Sequence, residues 1–117
     1  MSTDIRAPET KTVFVGENAL TYCADFSASP AVSAGAALSS PVVAVDVAKV
    51  SVGANPAVNT TNFVEYDAAG LAADVVLAGK GVVFSVTPLA KGQCTVTVLA
   101  TASDGSKPGK QIVFQVK

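Results

Sequence analysis

The sequence predicts an all-β fold, an antiparallel β-sandwich of about seven or eight strands, and three observations carry that prediction. The first is composition. Of 117 residues, 20 are Val and 20 Ala against 6 Leu, 2 Ile and no Trp, and branching at Cβ restricts χ1 in a way that suits a pleated surface. The second is the strict alternation of Gln93 to Ala102, followed by the turn signature Ser103-Asp-Gly105 and a returning run from Gln111 to Val116, which together read as a hairpin. The third is the frequency of turn signals between short apolar runs, the pattern of a sandwich rather than of βαβ units. The length suits one domain. Half of the residues are apolar and 15% charged, enough buried surface to offset the entropy of ordering the chain.

The elements follow in chain order. Residues 1–10 are polar, interrupted by Pro8, and have only Met1, Ile5 and Ala7 as apolar side chains; they read as an N-terminal arm, with residues 11–117 as the sandwich domain. Thr12 to Val15 reads as a short strand, Gly16 to Asn18 as its turn, and Ala19 to Phe26 as the second strand. Ser27 to Ser40 is an irregular crossing whose Ala-rich part has room for a helical turn, and Pro41 suits the opening of a third strand. Val42 to Val52 accommodates two short strands or one bent one. Asn55-Pro56 and Asn59 to Asn62 mark a loop, and Asn62 to Tyr66 another strand. Between Asp67 and Gly79 two readings compete. Asp67 as N-cap and Gly79 as C-cap suit a helix, which Gly70 would weaken by about 1 kcal/mol relative to Ala. Val75 and Val76 favour a strand from Asp74 to Leu77, turned by Gly79-Lys-Gly81 into Val82 to Thr87, and this hairpin is the preferred reading. The apolar stripe expected in the core is Tyr22, Phe26, Phe84, Val96, Val98, Ile112 and Phe114, at roughly 1.5–3 kcal/mol per buried side chain.

The chemistry of the residues points away from catalysis. There is no His, which removes imidazole bases, Ser-His and Cys-His nucleophile pairs and His-containing zinc sites. Nine carboxylates are present, but no two fall at the ends of neighbouring expected strands in an apolar setting, as an acid and base pair requires. Glu65, Asp67 and Asp74 match no calcium-loop spacing and read as solvated loop acids. Gly79-Lys-Gly81 departs from a P-loop, because Asp74 stands at the first Gly position and no Ser or Thr follows the Lys. The expectation is no catalytic residue, no metal and no cofactor.

Cys23 alternates with Leu20, Tyr22 and Ala24 so as to face away from the core, whereas Cys94 joins Val96, Val98 and Ala100 on the apolar face. Two free thiols are therefore expected, not a disulfide. The N-terminal residues have no basic stretch followed by an apolar one, so no signal peptide is expected. The twenty uncharged residues Phe26 to Val45 contain five Ser, two Pro and one Gly, which argues against a membrane span. Asn59-Thr-Thr61 matches a glycosylation sequon, and chance explains it better.

Charge is distributed unevenly. Residues 1–78 hold three basic residues, Arg6, Lys11 and Lys49, and eight acidic ones, a net of −5, whereas residues 79–117 hold five Lys and one Asp, a net of +4. Lys80, Lys107 and Lys110 fall in expected loops that a sandwich can bring to one end. That basic tip has no aromatic residues, too sparse for a nucleic-acid platform; the uneven charge reads either as chance with solvated loops or as an oriented docking surface.

The run VVFSVTPLAKGQCTVTVLATASDGSKPGKQIVFQVK at 82–117, with ENALTYCADFSA and SAGAALSSP upstream, resembles the small immunoglobulin-like virion proteins of tailed bacteriophages. Cys94 stands where that family usually carries an aromatic residue, so the tyrosine-corner hydrogen bond of such sandwiches has no donor here. The resemblance implies an immunoglobulin-like sandwich in a non-enzymatic structural protein. It would be an adaptor or decoration module, assembled in the host cytoplasm into the virion and bound to capsid, tail or fibre subunits. It also implies copies of the chain side by side in the particle, without nucleic acid or membrane as partner. The alternative is an immunoglobulin-like module of a bacterial surface adhesin, binding protein or carbohydrate. In the virion reading the arm lies on a neighbouring subunit, with Ile5 as anchor and Asp4 and Arg6 at its rim, while Lys80, Lys107 and Lys110 orient docking; the alternative for the arm is to fold back on the edge of its own sheet.

Overall fold

The computed structural model describes the backbone of residues 3–66 and 70–117, and side chains over the same span except at 3–9, 66, 72 and 73. Ten strands and one helical turn follow in the order β1 (Thr3–Val13), β2 (Leu20–Asp25), α1 (Pro30–Ser33), β3 (Leu38–Val45), β4 (Val50–Val52), β5 (Ala57–Val58), β6 (Phe63–Tyr66), β7 (Ala72–Val76), β8 (Gly81–Pro88), β9 (Gly92–Ala102) and β10 (Lys107–Val116). One sheet runs β1-β10-β9-β3, a second β2-β8-β4 with β5 also on β8, and β6-β7 form a two-stranded third.

The C-terminal hairpin forms as its alternation predicts. Cys94, Val96, Val98, Ala100 and Ala102 of β9 are buried while the residues between them are not, and on β10 Ile112, Phe114 and Val116 face the same core. Against them the second sheet turns Ala24, Val82, Phe84 and Val86. Tyr22 closes the layer, its ring edge-on to Phe114 at 5.2 Å and tilted to Phe84 at 6.2 Å, geometries that suit the ring quadrupole. Phe26 is fully buried and enters α1, where Pro30 opens the turn and Ala31 and Val32 plug the end of the core.

Several elements depart from the sequence reading. The segment set apart as an arm is strand from Thr3 onward: β1 runs parallel to β10 from Thr3↔Lys107 to Val13↔Val116, with a register shift between Arg6 and Glu9 around Pro8. Among the described residues this pair is parallel in an otherwise antiparallel arrangement, and there are ten strands where about seven or eight are expected. Phe14 and Val15 lie beyond β1 because Val13 is the last residue whose side chain the core can receive. Pro41 lies inside β3 rather than at its start. It is tolerated there because β3 is an edge strand and its register against β9 shifts between Ser39 and Val42; a proline at a bulged edge also blunts pairing with another chain. Val42 to Val52 resolves into two strands in different sheets.

Residues 72–76 are strand, as preferred over helix, but the expected β7–β8 hairpin does not form. β7 pairs β6, with Glu65 opposite Asp74 and Val64 opposite Val75, and β8 takes β2, β4 and β5 as neighbours. The reason is local. Asn59 is buried, its side-chain NH2 donates to the carbonyls of Thr61 (3.0 Å), Val76 (3.2 Å) and Leu77 (2.9 Å), and its carbonyl oxygen accepts the Gly81 N–H at 3.0 Å. One side chain thus holds the ends of the 59–81 excursion together and turns β6–β7 out of the β8 ladder.

Candidate functional site

Topology gathers the expected lysines at one end of the sandwich, the end closed by α1. The Lys80 ammonium reaches the carbonyl of Val32 at 3.5 Å, and Lys107 opens β10, donating to the Thr101 hydroxyl at 3.3 Å. Neither Lys107 nor Lys110 is in a loop; both belong to β10. Lys110 is buried on the inward face shared with Ile112 and Phe114, because the ladder with β9 reaches this residue and sets it opposite the buried Val98. An exposed tip built on Lys80, Lys107 and Lys110 together is therefore not what this end presents. Asp4, Ile5 and Arg6 belong to β1 by backbone, opposite Pro108, Gly109 and Lys110; their side chains lie outside the described residues.

The other candidates resolve in structural terms. Glu65 makes an ion pair with Lys11, tying the β6–β7 hairpin to β1, and Asp67 lies outside the described residues. No group of three or more metal-binding side chains is found among the described residues. Gly79 and Lys80 form a turn, with the Gly79 N–H on the Asn59 carbonyl at 2.7 Å and the Lys80 N–H on that of Leu77 at 3.0 Å. The sequon asparagine is the buried hub described above, its amide nitrogen occupied by three carbonyls.

Both cysteines are free, and neither is arranged for reactivity. Burial, and then the carboxylates of Asp25 and Asp74, push the Cys23 thiol up to about 12, so the thiolate is scarce near neutrality. Burial, followed by Asp46, also raises Cys94. Tyr22 is raised by burial and then by Glu17 and Glu65.

Large apolar side chains left exposed mark two other places. Phe14, Val15, Val47 and Leu89 are exposed in the three turns at the end opposite α1, where β1, β3 and β8 finish. Leu71, Val75 and Leu77 are exposed on the β6–β7 hairpin. An apolar residue inside a turn, as in Val47 between Asp46 and Lys49 or Leu89 before Lys91, is the signal in the sequence that points to the first group. Comparison with family models, with curated proteins and with solved structures finds no match to this chain.

Proposed function

We propose that this chain is a non-enzymatic structural module of a tailed-bacteriophage virion, built as an immunoglobulin-like sandwich that joins neighbouring subunits. The virion role rests on the sequence resemblance, and the observation that supports the immunoglobulin-like part of the reading is the strand order. In an immunoglobulin sandwich the strands B, E and D share one sheet and C, F and G the other. Here β2, β8 and β4–β5 take the first set of places, and β3, β9 and β10 the second, with β1 added beside β10. The β6–β7 hairpin is then an insertion between the fourth and fifth strands of that plan. The longest part of the sequence that carries the resemblance, 82–117, spans β8, β9 and β10, which contribute most of the core. The cysteines sit on β2 and β9, the strands that bear the intersheet bridge in antibody domains, but not at its positions, since Cys94 stands at the tyrosine-corner place two residues earlier. Here Cys23 is one residue out of phase, pairing with Val83 beside the inward Ala24 and Val82 pair.

The test is direct. An antibody raised against the purified chain is used to probe purified particles of the source phage by immunoblot and immunogold labelling. The expected result is labelling at a fixed position on every particle. Absence from particles, with labelling of the surface of uninfected cells, overturns the virion reading in favour of the adhesin module.

A further inference from the structure

Strand β1 is held largely through its backbone. Its register on β10 runs from Thr3↔Lys107 to Val13↔Val116, and the pairing continues beyond it, with the Lys117 N–H on the Val13 carbonyl and the Val15 N–H on the Lys117 carbonyl, both at 2.9 Å. Among its described side chains, Val13 enters the core, Thr10 and Thr12 are exposed, and Lys11 pairs with Glu65. The connection that follows, residues 14–19, turns the chain from one sheet into the other. It does so against its own sequence. Thr12-Val-Phe-Val15 is a strand-forming run, yet the strand stops at Val13, Phe14 and Val15 are left 54% and 44% exposed, and Gly16 completes the turn at a φ of +93°, a conformation that a Cβ disfavours.

We propose that β1 is exchanged between copies of the chain: in a two-fold dimer, residues 14–19 straighten and each β1 takes, on the β10 of the other copy, the register it has on its own. The occupant is a second copy because the β10 edge receives residues 3–13 of this chain, and the same segment of an identical chain brings the same backbone bonds, the same burial of Val13 and the same Lys11–Glu65 pair. Pairing energy therefore cancels between the closed and exchanged forms, and the balance rests on the connection and on concentration. Six extended residues reach about 20 Å, enough to carry β1 off its own sheet. In the dimer the two connections run antiparallel across the two-fold axis, and Phe14 and Val15 continue the alternation of Thr12 and Val13. Side chains exposed in the closed chain then meet those of the other copy, and Gly16 leaves its left-handed conformation. Loss of the turn's hydrogen bond from the Glu17 N–H to the Phe14 carbonyl, at 3.2 Å, and the entropy of association oppose the exchange, so the two forms coexist. This inference does not depend on the virion reading, since it concerns only the chain and its own copies.

The test uses two full-length chains, one carrying Thr10→Cys and the other Val113→Cys, positions that lie side by side across β1 and β10. They are unfolded together in urea with reductant, refolded as a mixture at high concentration and mildly oxidised, with the unmodified chain as the control for Cys23 and Cys94. The expected product is a disulfide-linked pair containing one chain of each kind, identified by intact mass, because only exchange sets residue 10 of one chain beside residue 113 of another. Sedimentation velocity of the unmodified chain is expected to show a monomer–dimer equilibrium that depends on concentration. Gly16→Val strains the turn and is expected to raise the dimer fraction several-fold, whereas Phe14→Asp lowers it. Absence of a dimer at every concentration, a dimer whose mixed chains do not link, or a Gly16→Val equilibrium that does not move overturns the proposal. Should Gly16→Val unfold the chain, the linkage experiment decides alone, since its connection is unaltered.

Discussion

Asn59 shows how much one side chain decides. Its amide donates to three carbonyls and accepts one backbone N–H in a buried setting, replacing the backbone pairing that a continuous strand would have supplied. In Asn59→Ala the Thr61 and Val76 carbonyls and the Gly81 N–H lose this side chain as a partner, whereas the Leu77 carbonyl keeps the Lys80 N–H, and a buried polar group left unpaired costs about 1–3 kcal/mol. The expected loss is at least about 2 kcal/mol, read as a lower midpoint in urea with little change in slope. Gly81 is constrained beside it: a Cβ there would lie 2.6 Å from the Ala24 carbonyl oxygen and 2.8 Å from the Cys23 sulfur, so Gly81→Ala forces backbone to move. Cys23 itself gives a pH test. Its thiol is raised to about 12 from an unfolded value near 8.5, so the unfolded state loses its proton first as pH rises. Stability from this group is complete below about pH 8.5 and is lost progressively up to about pH 12. Tyr22 shifts in the same direction. Denaturant midpoints measured from pH 8 to 11 are expected to fall; a flat profile would contradict the burial of both groups.

At the scale of elements, the C-terminal hairpin is the part of the fold on which the rest depends, being central in its sheet with β1 and β3 on either side. Val96 and Phe114 are fully buried and face the opposite sheet. Val96→Asp or Phe114→Asp places an unpaired charge in the core, and either is expected to abolish cooperative unfolding by circular dichroism. Thr97→Asp lies on the outer face between Ala44 and Gln111, and its melt is expected within a few degrees of the unmodified protein. These faces were readable from the period-two pattern alone, because ten alternating residues leave one register consistent with burial. The β6–β7 hairpin was not readable in the same way. Its strands are short, Val75 and Val76 give no alternation, and the choice between β6 and β8 as partner for β7 rests on the hydrogen bonds of Asn59, a residue whose sequence context suggests only a loop.

For the whole molecule, the consequence concerns β1. In the sequence, residues 1–10 have too few apolar side chains to order themselves, and an arm held by a neighbour is the natural expectation. In the structure their backbone from Thr3 onward pairs with β10 of the same chain, where hydrogen bonding to an existing edge orders the segment. Removal of residues 1–10 strips the β1 partner from Lys107 to Val113 and is expected to lower the melting temperature by several degrees, each 1 kcal/mol corresponding to roughly 4–8 °C in a domain of this size. An unchanged melt would contradict this pairing. By itself the sequence determined the all-β class, the C-terminal hairpin and its faces, and the free thiols, because these follow from periodicity within single strands. Only the tertiary structure decided that β1 runs parallel along β10, that Lys110 is buried, and that exposed apolar turns collect at one end. Each of those depends on which distant segment lies alongside, and neither composition nor local period encodes a neighbour more than fifty residues away.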